Sequence, residues 1–199
     1  LMSDLDYQIK CDIELSRQPG ITSDEYELIR KKNQLTLLII SDTHGQIGSA
    51  QQALDLVPKT DLILHLGDHA SDLGRLRELL GKPILAVRGN CDGFGRKLPP
   101  EILELNLAGC RIVMTHGHNR SFNVKDDFFK IRQYASTSGN YPDLLLFGHT
   151  HFYHDEIVRG SKSQTRLLNP GSCSYTISAI SINLTDGNID DVTRLISSS

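Results

Sequence analysis

Five apolar runs in this chain each end in a short polar cluster that contains glycine, and no other feature constrains the fold as tightly. Leu35 to Ile40 gives way to Ser41-Asp42-Thr43-His44-Gly45, and Leu62-Ile63-Leu64-His65-Leu66 to Gly67-Asp68. Ile84-Leu85-Ala86-Val87-Arg88 leads into Gly89-Asn90-Cys91-Asp92, Ile112-Val113-Met114-Thr115 into His116-Gly117-His118, and Leu144-Leu145-Leu146-Phe147 into Gly148-His149-Thr150-His151. Such runs read as buried strands, and polar residues where a buried strand becomes a loop face a shared rim. A single Asp-x-His at a strand end is an ordinary polar turn. Five such ends are a constellation.

Between the first three runs lie amphipathic segments. Ala50, Ala53, Leu54 and Val57 fall on one helical face and are closed by Pro58; Leu73, Leu76, Leu79 and Leu80 repeat the pattern and are closed by Gly81. The first half therefore reads as βαβαβ, with strands joined by crossover helices. After Asp92 the order changes. Runs 101–107 and 111–115 flank Ala108-Gly109 as a hairpin, and 123–135 places Val124, Phe128, Ile131 and Tyr134 on one helical side. Strands are then expected over 144–147, 152–158, 166–168 and 177–184, with Asp186-Gly187 turning the last into a partner strand that ends near Ile196. The simplest packing is two sheets face to face with helices outside. Before all this, Thr22 and Glu25 fit a capping box for a short surface helix, preceded by a loosely held tail. The expected organisation is an N-terminal extension over 1–34 and one domain over 35–199.

At 199 residues and 39% hydrophobic content, one substantial core is the natural outcome. A net charge of −3 and a pI near 6.2 disfavour a nucleic-acid polymer as partner. The four cysteines, Cys11, Cys91, Cys110 and Cys173, are far apart, which argues against a disulfide scaffold or a thiolate zinc site and for a reducing compartment. There is no membrane-length apolar run and no charged-then-apolar leader, so a cytoplasmic protein without a membrane partner is expected.

If the strand ends converge, Asp42, His44, Asp68, Asn90, His116, His149 and His151 gather carboxylates, imidazoles and an amide on one rim. Unpaired, such groups are costly there, and metal ions would satisfy them together. Seven ligands with a carboxylate able to bridge suit two ions about 3.5–4 Å apart. Imidazole mixed with carboxylate fits manganese, iron, zinc or nickel better than calcium or magnesium. Two ions lower the pKa of a shared water towards about 7 and clamp phosphoryl oxygens, which is hydrolytic chemistry.

These blocks, in this order, resemble the five motifs of the calcineurin-like metallophosphoesterases. The Asn90-Cys91-Asp92 form, together with Asn169-Pro170-Gly171-Ser172, is most similar to the small bacterial and archaeal phosphodiesterase subgroup. The resemblance covers about Leu35 to Ile196 and implies a four-layer αββα sandwich of two mixed β-sheets. It implies that Asp42, His44 and His151 hold one ion, that Asn90, His116 and His149 hold the other, and that Asp68 bridges; Asp68, Asn90 and His116 are then also the catalytic positions. It implies a phosphodiesterase with two divalent ions, manganese foremost, acting on a small phosphodiester. Two other readings belong to the same fold: a protein-interaction scaffold, as in the small subunit of the retromer coat, and a phosphomonoesterase like the phosphoprotein phosphatases, which have Gly-Asn-His-Glu where this chain has Gly-Asn-Cys-Asp. The complete ligand set speaks against the first.

The remaining polar residues carry blander readings. His65, inside an apolar run, reads as a core histidine; His69 and His118 divide between support of a neighbouring ligand and solvated loop; His154 reads as a surface strand residue. Asp92 orients a neighbouring ligand by a hydrogen bond or caps a turn. Cys11, Cys110 and Cys173 read as structural, and Cys91 as a small packing residue beside a ligand. The exposed β-rich half is expected to associate as a two-fold homodimer.

Overall fold

The computed structural model describes residues 18–68, 73–93, 98–118, 123–125, 127–137, 142–160, 163–174 and 176–197, apart from the side chains of 134–137. Residues 1–17 of the expected N-terminal tail, with Cys11, and also His69 and the side chain of Tyr134, lie outside the described residues.

Ten strands form two five-stranded sheets. They are β1 (Gln34–Ile40), β2 (Leu62–His65), β3 (Ile84–Ala86), β4 (Ile102–Leu107), β5 (Cys110–Thr115), β6 (Leu144–Phe147), β7 (Tyr153–Arg159), β8 (Gln164–Pro170), β9 (Ser178–Thr185) and β10 (Asn188–Ile196). The first sheet runs β10-β9-β1-β2-β3 and the second β4-β5-β6-β8-β7. In the first, β1, β2 and β3 are parallel and β9 and β10 are antiparallel additions. In the second, β5, β6 and β8 are parallel, while β4 and β7 pair antiparallel at the edges. Both sheets are mixed.

Alternation along the strands divides the core into layers. Leu35, Leu37 and Ile39 of β1 point between the sheets, where they meet Leu103, Leu105, Ile112, Met114, Leu144 and Leu146 of the second sheet. Leu38 and Ile40 point outward, against helices α2 (Ile47–Leu56) and α3 (Leu73–Leu80). On the far side, Val113, Leu145, Phe147 and Leu167 pack with Ile131 of helix α4 (Phe128–Thr137). Residues of β1, β2 and β6 are therefore buried on both faces, which is why they read as unbroken apolar runs rather than alternating ones.

Helix α1 (Ser23–Arg30) carries both reciprocal bonds of its capping box. It differs from the surface helix expected. Tyr26 and Ile29 are buried in the layer between the sheets, and the helix lies beside β4. The segment before it is held at the β3 edge: Gln18 exchanges two side-chain hydrogen bonds with the backbone of Ala86, at 2.7 and 2.9 Å, and Ile84 N–H donates to Gly20 C=O. Close approach requires glycine here, since a Cβ on Gly20 would come within 2.6 Å of the Ile84 carbonyl oxygen.

A second difference concerns the helix expected over 123–135. It begins only at Phe128: Val124 N–H donates to Gly117 C=O, Asp127 N–H donates to Asn123 C=O, and Asp127 caps the helix by accepting from Phe129 N–H. The hairpins at Ala108-Gly109 and Asp186-Gly187 form as expected and touch across the sandwich through Gly187 N–H to Ala108 C=O. Among the described residues no helix is long and apolar enough to cross a membrane.

Candidate metal centre

Because β1, β2 and β3 are parallel, their carboxyl ends share one edge of the first sheet; β5, β6 and β8 do the same for the second. Open parallel sheets bind ligands off the carboxyl ends of their strands. The loops 41–45, 66–68, 87–92, 116–118, 148–151 and 171–174 meet there. Close packing of the two edges depends on glycine. A Cβ on Gly89 would collide with the backbone and carboxylate of Asp68, and one on Gly148 with Ser41 Oγ.

The backbone at this edge is strained. Of the seven described non-glycine residues with positive φ, Asp42, His44, Asp68, His149 and His151 are candidate ligands; Ala108 and Asp186 sit in hairpin turns. Left-handed backbone costs a non-glycine residue roughly 1–2 kcal/mol, and such strain collects where function needs it.

Asp42, His44, Asp68 and His151 bring ligand atoms within 4.8 Å of one another. His151 Nε2 lies 3.1 Å from Asp42 Oδ1, and His44 Nε2 lies 3.9 Å from Asp68 Oδ2. Beside them His116 Nε2 stands 3.1 Å from Asn90 Oδ1 and 3.4 Å from Asp68 Oδ1. The His149 ring packs on that of His116 with centroids 4.9 Å apart. All seven candidate positions therefore border one site, with Asp68 facing both halves.

The chemistry of these donors is that of a cation site. His116 Nδ1 donates to Leu66 C=O at 2.7 Å, so Nε2 carries a lone pair. That lone pair faces the amide oxygen of Asn90 and the carboxylate of Asp68 with no hydrogen available between them. Asp42 Oδ1 is sealed from solvent and accepts no hydrogen bond. Acceptors turned on one another in a buried place are unfavourable unless positive charge sits among them. The residues fit divalent metal.

Burial pushes the Asp42 carboxyl up to about 7, with the Asp68 charge adding to it against the hydrogen bond from Ser41. Burial also pulls His116 down to about 3 and His149 to about 4, in the latter with help from the Lys125 charge. Both imidazoles are thus neutral at ordinary pH, the form in which a ring nitrogen can bind a metal.

Several supporting residues carried no role in the sequence reading or a blander one. His65, fully buried as expected of a core histidine, accepts Gly67 N–H at Nδ1 and so presents Nε2–H to Thr43 Oγ1 at 3.1 Å, tying the Asp42 loop to the Asp68 loop. Asn169 donates to Gly148 C=O and to Thr150 Oγ1 and accepts Gly171 N–H, and Ser172 donates to Asp42 C=O. The Asn-Pro-Gly-Ser block was the available signal. Asp92 accepts from the backbone of both Asp68 and Gly89, so it orients as well as caps. His118 stacks edge-on against His116 at 5.3 Å. His154 is half-buried rather than a plain surface residue, with Phe128 and Phe147 against its ring. Cys110 and Cys173 are buried, and Cys91 is exposed.

Comparison with known proteins agrees with this geometry. The chain is 33% identical over 143 residues to a probable metallophosphoesterase, YsnB, of Bacillus subtilis (strain 168), covering 69% of this chain and 75% of that protein. A solved archaeal phosphodiesterase superposes with a TM-score of 0.61 at 20% identity, over 82% of this chain and 100% of the other. A predicted phosphoesterase from Streptococcus pneumoniae TIGR4 gives 0.58 at 22% identity, over 82% and 98%. At those identities the two structures speak for the αββα fold. The profile of the calcineurin-like phosphoesterase superfamily domain matches residues 35–186, the stretch that holds every candidate ligand, and the chain belongs to that superfamily.

Proposed function

We propose that this protein is a metal-dependent phosphodiesterase that works with two divalent ions, manganese foremost. In this reading Asp42, His44 and His151 hold one ion, Asn90, His116 and His149 hold the other, and Asp68 contacts both. When bound, the pair would supply a water-derived nucleophile at neutral pH and positive charge for the phosphoryl oxygens. The chain's own part is preparation. The Leu66 carbonyl fixes the His116 tautomer, the His65 to Thr43 bond holds two loops in register, and Asp42 Oδ1 waits without a competing hydrogen bond. Residues 35–199 contribute all seven ligands, and the stretch before them braces the edge that leads to Asn90.

The observation that carries the reading is the convergence of His116 Nε2, Asn90 Oδ1 and the Asp68 carboxylate, three acceptors with no proton to share. A preference for diesters with good leaving groups is supported by Cys91. Although the residue is exposed, desolvation by the surrounding loops, and then the hydrogen bond and charge of Asp68, push its thiol up to about 11, so it is a poor proton donor to a departing alkoxide. Metal-stripped protein, screened on aryl phosphodiesters and monoesters with manganese, iron, zinc or nickel restored one at a time, tests the proposal. Turnover that needs metal and is faster on diesters supports it. Absence of hydrolysis with every metal would leave the interaction scaffold as the better reading. A two-fold homodimer belongs to the same proposal, and light scattering at high micromolar concentration tests it.

A further inference from the structure

The turn 123–125 is bonded to the loop that carries His116, on a segment that none of the motif blocks includes. Val124 N–H donates to Gly117 C=O at 2.9 Å, one residue after the ligand His116. The Val124 side chain is buried with Val113, Leu145 and Phe147, in the layer under the strand ends that deliver His116 and His149. A backbone bond and a buried side chain thus fix the position of the next residue, Lys125, which is exposed.

Most exposed lysines are solvated and act on nothing. Lys125 differs in two respects. It follows directly on the residue bonded to Gly117, beside His116, and after burial its charge is the next cause lowering the proton affinity of His149 and of His151. Nor, among the described residues, does an ion pair or hydrogen bond tie it to a carboxylate. The neighbouring cations are committed: Arg88 pairs with Glu101, and Arg132 with Glu156. A point charge on a flexible stem beside a phosphoryl site is suited to an oxyanion.

We propose that Lys125 is a substrate-positioning residue whose ammonium pairs with a non-bridging oxygen of the phosphoryl group held at the metal centre. The inference rests on the phosphoesterase reading and adds a residue to it. The contact forms with ground state and transition state alike, so it acts on binding more than on turnover. A doubly charged phosphate gains more from it than a singly charged diester.

The test compares manganese-loaded wild type, Lys125→Gln and Lys125→Arg by calorimetric binding of inorganic phosphate and by kinetics on an aryl phosphodiester. Thermal unfolding and metal content, both expected to match wild type, serve as controls. Lys125→Gln should raise the phosphate Kd by about tenfold and the diester KM by about threefold while kcat changes less than about twofold, the size of one partly solvated charge-assisted bond. Lys125→Arg should restore most of the loss, and the difference should shrink in 0.5 M salt, where the screening length is only a few ångströms, ~4 Å. A phosphate Kd in Lys125→Gln within about twofold of wild type would overturn the inference and leave the phosphoesterase reading intact. A wild-type protein that neither binds phosphate nor hydrolyses the ester would overturn both.

Discussion

Asp92 Oδ2 accepts the backbone N–H of Asp68 at 3.1 Å and that of Gly89 at 2.6 Å, so one buried carboxylate locks the loop after β2 to the loop after β3. Asp68 then returns a bond to the same loop by accepting Cys91 N–H at 2.9 Å. Asp92→Ala would strand two buried N–H groups and free both loops, at roughly 1–3 kcal/mol for each group. Manganese affinity should fall by about 10–100-fold, as it does when a group orienting a ligand is lost. Calorimetric titration with manganese measures this, and an unchanged affinity would mean that Asp92 only caps a turn.

Strain at the candidate ligands predicts a trade between stability and metal binding. His151 has a φ of 64° and a half-exposed side chain, so His151→Gly relieves left-handed backbone while losing little packing. Chemical denaturation of metal-free protein should show His151→Gly to be no less stable than wild type, and up to about 1 kcal/mol more stable. The same variant should bind manganese more weakly. A variant at least 1 kcal/mol less stable when metal-free, by about the cost of a lost core contact, would show that the strained backbone is not a cost carried for the metal.

Metal affinity should depend on pH through Asp42. In the metal-free protein burial raises this carboxyl to about 7, so below that pH an ion must displace a proton. Affinity should fall as pH drops from 7, approaching tenfold per unit, with about one proton released per chain at pH 6. His116 and His149, held at about 3 and about 4, stay neutral across this range and add nothing to the slope. Titrations in two buffers of different ionisation enthalpy count the proton. Equal affinity at pH 5.5 and 7.5 would contradict the shifted carboxyl.

The strand ends were legible in the sequence because chemistry and periodicity coincide there: an apolar run fixes the strand, and the polar residue that stops it is a ligand candidate. The order of the strands was not. Nothing in the chain from Leu144 to Ile196 announces that β7 and β8 join one sheet while β9 and β10 cross to the other, since that depends on pairing partners far away in sequence. Nor was the docking of Gln18 on Ala86, because a lone glutamine in a polar stretch signals no backbone partner 68 residues on. The helix from Asn123 was misplaced by periodicity, as Val124 serves the core from a turn just as well as from a helix. Lys125 was passed over for the same reason. Left-handed backbone at Asp42, His44, Asp68, His149 and His151 has no signature in residue type, because the fold rather than the residue imposes it.

Cys91 tests how far the leaving group is left unassisted. Its thiol is raised to about 11 by desolvation first and then by Asp68, so it should neither donate a proton to a leaving group nor act as a thiolate near neutral pH. Cys91→Ala should leave kcat on an aryl diester within about threefold of wild type, well short of the 10²–10⁴-fold typical of general acid–base help. A loss of that larger size with metal content intact would make the thiol a participant.

Asp68 is the residue on which the two-ion account turns, because one oxygen faces His116 and the other His44. Metal content of wild type and Asp68→Asn, measured by mass spectrometry on manganese-loaded protein beside turnover of an aryl phosphodiester, is the most direct test. The account predicts two ions per wild-type chain and weakened binding of both in Asp68→Asn. It also predicts turnover down by on the order of 10³-fold, equivalent to losing several kcal/mol of transition-state stabilisation. An Asp68→Asn protein that keeps two tightly bound ions and full turnover would contradict it.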